Sequence, residues 1–176
     1  MAQWAHDSER TGPVAVEAEG AYPAPDSGLW NVLLRFQAQF RYADGVTIDY
    51  RTAKAPYVRY VGDEGWIQST WFPGGGLEPG VTASSDSLLE PLPEAAEVRL
   101  ARREDKEDFI YGIKTGRPTM ADAEIGHRTC SIGQIAHIAI QVGRKLEWDP
   151  DAERFPGNED ANALLTRDVR GDWKIS

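Results

Sequence analysis

The sequence predicts an α+β domain in which an open, largely antiparallel β-sheet carries helices packed on one face. Three observations lead there. Residues 29–52 alternate apolar and polar side chains, the stretch after Asp122 carries a long apolar helical pattern, and strand patterns precede helical ones along the chain. At 176 residues with 41% hydrophobic content, the chain is long enough for one real core and too short for two ordinary domains, so residues 1–176 are read as a single domain.

The first strand is expected at Val14 to Ala18. The clearest signal follows in LWNVLLRFQAQFRYADGVTIDYRT, where Val32, Leu34, Phe36, Ala38, Phe40 and Tyr42 alternate with Leu33, Arg35, Gln37, Gln39 and Arg41. That is the period of a half-buried antiparallel strand. Asp44-Gly45 supplies the positive φ angles of a tight hairpin turn, and Val46, Ile48 and Tyr50 continue the apolar face opposite Thr47, Asp49 and Arg51. Further strands are expected at Tyr57 to Val61, Gly65 to Trp71 and Glu97 to Leu100. Pro73 to Pro79 and Leu88 to Pro93 read as irregular passages.

A helix is predicted over Arg103 to Thr115, with Phe109, Ile110 and Ile113 on its inner side and Gly116-Arg117-Pro118 ending it. The acidic run Glu104, Asp105, Glu107 and Asp108 beside Arg102, Arg103 and Lys106 reads as a solvated helix start. The long helix has Asp122 as its N-cap and Arg144 and Lys145 in its last turn. Ile125, Thr129, Ile132, Ala136, Ala139 and Val142 recur along one side, and Cys130, Ile135, Ile138 and Ile140 make the rest nearly as apolar, which predicts burial on most sides. Gly126, Gly133 and Gly143 each cost roughly 1 kcal/mol against Ala in a helix interior, so they are expected to admit a close neighbouring sheet. Asn158 to Leu165 reads as a short helix.

Nineteen Lys and Arg against 28 Asp and Glu leave a net charge of −9, which repels phosphate backbones and anionic headgroups. Nucleic-acid and membrane binding are therefore not expected. The N-terminus has no basic segment followed by an apolar one, and the apolar run Ile135 to Val142 is broken by His137 and Gln141, so neither a signal peptide nor a spanning helix is read. The lone Cys130, expected buried, forms no disulfide within the chain and fits a reducing compartment, hence a cytoplasmic location.

His6, His127, His137 and Cys130 show no zinc-like spacing, so no metal is expected, and Ser84, Ser85 and Ser87 lie in no nucleophile-elbow motif. No catalytic residue is assigned. His127 and Arg128, at the start of the long helix, are the candidate substrate-binding residues; a hydrogen bond from the helix terminus to a neighbouring loop is the competing role. His137 reads as a satisfied core histidine. Trp66 and Trp71 offer either aromatic platforms for a sugar or core packing.

The segment EIGHRTCSIGQIAHIAIQVGRKLEWDP, followed by ERFPGNEDANALLTRDVRGDW, resembles the C-terminal end of the glucose-fructose oxidoreductase, inositol dehydrogenase and rhizopine-catabolism (Gfo/Idh/MocA) family. Upstream, AQWAHDSERTGPVAVEAEGAYP and YVGDEGWI resemble the same family's second domain in the same order, so the likeness runs from Ala2 to about Trp173. The resemblance implies a two-domain NAD(P)-dependent oxidoreductase of sugars and cyclitols, of which this chain is the substrate-binding and oligomerisation half. It also implies what should be missing. The only glycine cluster, Gly74 to Gly76, follows Pro73 and precedes Leu77-Glu78-Pro79, so no G-x-G-x-x-G dinucleotide turn is encoded.

Neither the family's Glu-Lys-Pro lysine nor its Asp-x-x-x-His pair is present; in relatives that pair comes just before the residues matching Met1 to Trp4. No cofactor is then expected on this chain, with NAD or NADP in full-length relatives, and no hydride transfer by the chain alone. The family's open sheet face commonly pairs with another subunit. On that basis Arg35, Gln37, Gln39, Arg41, Asp49 and Arg51 are the expected self-association surface, against the alternative of a plainly solvated face. A Rossmann-containing chain is the other expected partner. Competing readings are a free-standing interaction module lacking the Rossmann fold and a small carbohydrate-binding protein. An uncovered domain interface predicts exposed apolar surface around Trp4 and Tyr22.

Overall fold

A computed structural model describes residues 2–26, 28–71, 78–91, 104–167 and 171. Its elements, in chain order, are α1 (Ala2–Ala5), β1 (Ala15–Ala21), β2 (Arg35–Arg41), β3 (Thr47–Arg51), β4 (Tyr57–Gly62), β5 (Gly65–Thr70), β6 (Gly80–Ala83), α2 (Asp105–Thr115), α3 (Ala123–Val142), β7 (Leu146–Glu147) and α4 (Glu159–Asn162). The fold is α+β, and every strand pairing is antiparallel. The strands form two sheets, β3-β2-β1-β7 and β4-β5-β6, where the sequence suggested one. They fall in separate compact units, one holding Met1–Ala5 and Ala53–Gly126, the other His6–Thr52 and His127–Ser176.

In the second unit, β1 pairs with β2 in the register Val16↔Phe40 and with the two-residue β7 through Val16↔Leu146. Because facing residues share a side of the sheet, Val16, Ala38, Phe40 and Leu146 point together into the core. The stripe Ile135, Ala136, Ile138 and Ala139 of α3 joins them, with Trp148, Phe155 and Ala161. Phe40 and Phe155 are fully buried, each contributing about 2–3 kcal/mol of apolar burial.

The alternation in β2 is as expected, but Val32 and Leu34 are exposed and precede the strand, which starts at Arg35. The β2–β3 connection is longer than a two-residue turn: Gly45 N–H donates to Tyr42 O at 3.1 Å, and of Asp44 and Gly45 only Gly45 has positive φ. Asp44 instead receives the Val46 N–H and pairs with His6 at 2.8 Å.

Asp122 does cap α3, accepting the Ile125 N–H at 3.1 Å. The helix stops at Val142 through left-handed Gly143, so Arg144 and Lys145 lie beyond it rather than in its last turn. Its burial is confined to the one stripe. Gly126, Cys130 and Gly133 are exposed, and a Cβ at either glycine would meet nothing within 4 Å, so these glycines admit no neighbouring sheet.

In the first unit, β4-β5-β6 is a meander whose last strand and the following 3-10 turn, Asp86–Leu89, carried no sequence pattern. The predicted α2 begins at Asp105, and its orientation is the reverse of the one expected. Phe109, Ile110 and Ile113 are 63%, 49% and 68% exposed, whereas Asp108 is 5% exposed and accepts the Met120 N–H at 2.7 Å. A carboxylate bonded to a backbone amide can be buried; the solvated-run expectation thus fails at Asp108. Trp4 and Tyr22 are exposed as foreseen. The expected strand Glu97–Leu100, the glycine cluster Gly74–Gly76 and the helix start at Arg103 lie outside the described residues. No described helix is long and apolar enough to cross a membrane.

Candidate functional site

Within the second unit, the residues after β7 form a built loop. Trp148 N–H continues the pairing to Val14 O, and Asp149 bridges to Arg154. The Asp149 carboxylate accepts the N–H groups of Asp151 and Ala152 at 3.0 and 2.9 Å, the local turn that Asx residues favour. This geometry presents Glu153, a non-glycine residue at φ 50°, toward α3.

His127 and Arg128 both reach that loop. His127 Nε2 lies 2.5 Å from Glu153 Oε1, and Arg128 Nη1 lies 3.2 Å from the same oxygen while donating to Pro150 O. The two candidate residues are thus brought together on one carboxylate and one carbonyl. They stand at the fifth and sixth positions of α3, past its first turn, whose Ile125 N–H is already capped by Asp122. The side chains of Arg128, Glu153, Ser131 and Trp148 border, with Thr11, Gly12 and Pro13, a small cleft of about 10 Å³, room for a single water. Gly12 matters to its floor, since a Cβ there would sit 3.3 Å from Pro150 Cβ.

Glu153, 26 residues from His127, carried no sequence signal. His137 is satisfied by the hydroxyl of exposed Tyr22 at 2.6 Å rather than by the core. Trp66 is half-buried under an arginine and Trp71 is 41% exposed, so neither is a core residue. Ser84 Oγ accepts the Trp66 N–H, and Cys130 is exposed rather than buried. Among the described residues no three His, Cys, Asp or Glu side chains cluster as a metal site.

The outer face of the four-stranded sheet carries Arg35, Gln37, Gln39, Arg41, Asp49 and Arg51, all exposed. They are tied only along the surface: Gln37 to Glu19 at 2.6 Å, Gln39 to Asp49 at 3.0 Å, and Arg41 to Glu147 at 3.6 Å. Dinucleotides bind at the carboxyl ends of parallel strands. With every described pairing antiparallel, these residues build no crevice of that kind.

Over residues 2–175 the chain matches the family described as oxidoreductase family, C-terminal alpha/beta domain, and it belongs to that Gfo/Idh/MocA oxidoreductase family. Two solved structures share the fold. One is aldose-aldose oxidoreductase from Caulobacter crescentus in complex with glycerol, 18% identical, matched over 81% of this chain and 43% of that one with a TM-score of 0.56. The other is UDP-N-acetylglucosamine 3-dehydrogenase from Acidithiobacillus ferrooxidans, 18% identical over 75% of this chain and 43% of that one, TM-score 0.50. The chain thus spans less than half the length of either. No match was found among curated proteins.

Proposed function

We propose that this domain supplies the substrate-side wall and the self-association surface of an NAD(P)-dependent sugar or cyclitol oxidoreductase, and that it transfers no hydride alone. The observation that carries the reading is the family match along residues 2–175, which is a match to the C-terminal domain of that family. The sugar and polyol class is taken from the two similar enzymes, whose names are those of an aldose oxidoreductase and a sugar-nucleotide dehydrogenase. In this role His127 and Arg128 act through Glu153. They hold the Pro150–Arg154 loop against α3, and the outer surface of that loop and helix start is the wall offered to a hydroxylated ligand.

The layout of the open sheet supports self-association. Glu17 and Glu19 on β1 and Glu147 on β7 lie on the side of the outer face opposite Arg35, Arg41 and Arg51 on β2 and β3. A two-fold axis through such a face sets acids against arginines.

Two measurements test the proposal. The purified chain should reduce neither NAD nor NADP with glucose or myo-inositol, read at 340 nm; turnover would overturn the non-catalytic part. In sedimentation, the wild type should be a dimer, and Arg41→Glu/Arg51→Glu and Glu17→Lys/Glu19→Lys should each be monomeric. Mixing the two variants should restore a dimer. A monomeric wild type overturns the self-association part.

A further inference from the structure

The first unit holds a second polar arrangement, built from other residues. In the β4–β5 register Arg59 lies opposite Gln68, Tyr57 opposite Thr70 and Val61 opposite Trp66, so all six share one face of the three-stranded sheet. The Arg59 guanidinium sits 4.4 Å over the Trp66 ring and 5.9 Å from that of Tyr57. Its Nε and Nη2 both donate to Gln68 Oε1, at 3.0 and 2.8 Å. Gln68 is 4% exposed and is itself anchored, its Nε2 donating to Thr70 Oγ1 at 3.3 Å.

This arrangement fixes the guanidinium plane without quenching its charge. A guanidinium carries two parallel pairs of N–H donors. The Nε/Nη2 pair is spent on Gln68. The outer pair, from Nη1 and the second hydrogen of Nη2, belongs to an exposed side chain whose partners are the neutral amide and two rings. Holding the plane in advance removes much of the ordering cost of binding.

We propose that Arg59 is a receptor for the carboxylate of a small monoanionic ligand, taken bidentate on the outer edge of the guanidinium. Charge selects the monoanion. From Tyr57 to Ala83 the chain carries Asp63, Glu64 and Glu78 against Arg59 alone, within a chain of net charge −9. One guanidinium balances one carboxylate; the second charge of a phosphate dianion meets that field unpaired. The site requires neither the unit 2 cleft nor the open sheet face, so it stands or falls apart from the function proposed above.

The test is a titration of the ¹⁵N-labelled chain with sodium glucuronate at constant ionic strength, followed at the Arg59 Nε–H and Trp66 indole N–H resonances. Both should move saturably in the millimolar range, while glucose leaves them in place and inorganic phosphate at pH 8 binds more weakly. Arg59→Lys keeps the charge and loses the fork, and should weaken binding about tenfold or more. Gln68→Glu keeps an acceptor for Nε and Nη2 but neutralises the guanidinium, and should weaken it similarly; unchanged resonances elsewhere establish that both variants fold. The proposal is overturned if glucuronate moves neither resonance, if glucose or phosphate matches it, or if Arg59→Lys binds as tightly as the wild type.

Discussion

Asn162 satisfies both backbone groups of Phe155: its Oδ1 accepts the Phe155 N–H at 2.8 Å and its Nδ2 donates to the Phe155 carbonyl at 2.9 Å. Phe155 is fully buried and packs against Trp148 with ring centroids 4.8 Å apart and planes tilted by 60°, so one amide on α4 locks the loop bearing Glu153 to the core. Asn162→Ala leaves the Phe155 N–H without its partner and the Phe155 carbonyl with the Asn158 N–H alone, and should cost about 1–3 kcal/mol in urea unfolding. Asn162→Asp keeps the acceptor but sets an anionic oxygen against the Phe155 carbonyl, and should lose a comparable amount. A wild-type stability for Asn162→Asp would show that the donor half of the clamp contributes nothing.

Two glycines should respond to alanine with opposite signs. Gly65 has φ 141°, and a Cβ there would lie 2.1 Å from Ser84 Oγ. Backbone strain and overlap together should lower stability by about 2–4 kcal/mol. Gly133 is a helix-interior glycine with open space where its Cβ would be. Gly133→Ala should raise stability by about 0.5–1 kcal/mol, and thermal melts of the two variants check both signs.

Asp160 is held below the ordinary 3.8 chiefly by the hydrogen bond from Arg144, and Asp44 chiefly by the one from His6 with help from the Val46 N–H. A carboxylate with a depressed folded-state pKa stabilises above its unfolded value, and that stabilisation disappears as pH falls through the folded pKa. The window lies below 3.8 for both groups. The melting temperature of the wild type should therefore exceed that of Asp160→Asn or Asp44→Asn at neutral pH. The gap should close as pH falls below 3.8 and through the lowered folded-state values. Both groups are at the surface, so salt should shrink the gap as well. A gap that holds constant across the acid limb would remove these pairs from the pH dependence.

Cys130 on the exposed side of α3 should react with a thiol reagent in the native state, one equivalent per chain. Burial of the thiol would show instead as a reaction that waits for denaturant.

The β2–β3 hairpin was legible because period-two alternation and Asp44-Gly45 are local signals. The start of α3 was legible through Asp122 for the same reason. Periodicity tells which side chains share a face, not whether that face has anything to pack against. This is why the pattern predicts Phe109, Ile110, Ile113 and Cys130 on the inside and the structure has them outside. Strands of two residues, such as Leu146–Glu147, leave no period to read. The candidate site divides similarly. His127 and Arg128 could be singled out at a helix start, but Glu153 joins them only through a loop 26 residues on. The Arg59–Gln68 pair depends on a cross-strand register, and register follows from the turn Gly62–Gly65 rather than from either residue.

The pairing of Val16 with Leu146 has a bearing on biosynthesis. Until Leu146 and Glu147 have left the ribosomal tunnel, β1 is the outermost strand of its sheet, and one of its edges offers unpaired amides to any neighbouring chain. Sequence-distant closure of this kind is slow. The chaperone-sensitive interval in synthesis should therefore last at least until Leu146 and Glu147 emerge, with Phe155 and its Asn162 clamp closing after them.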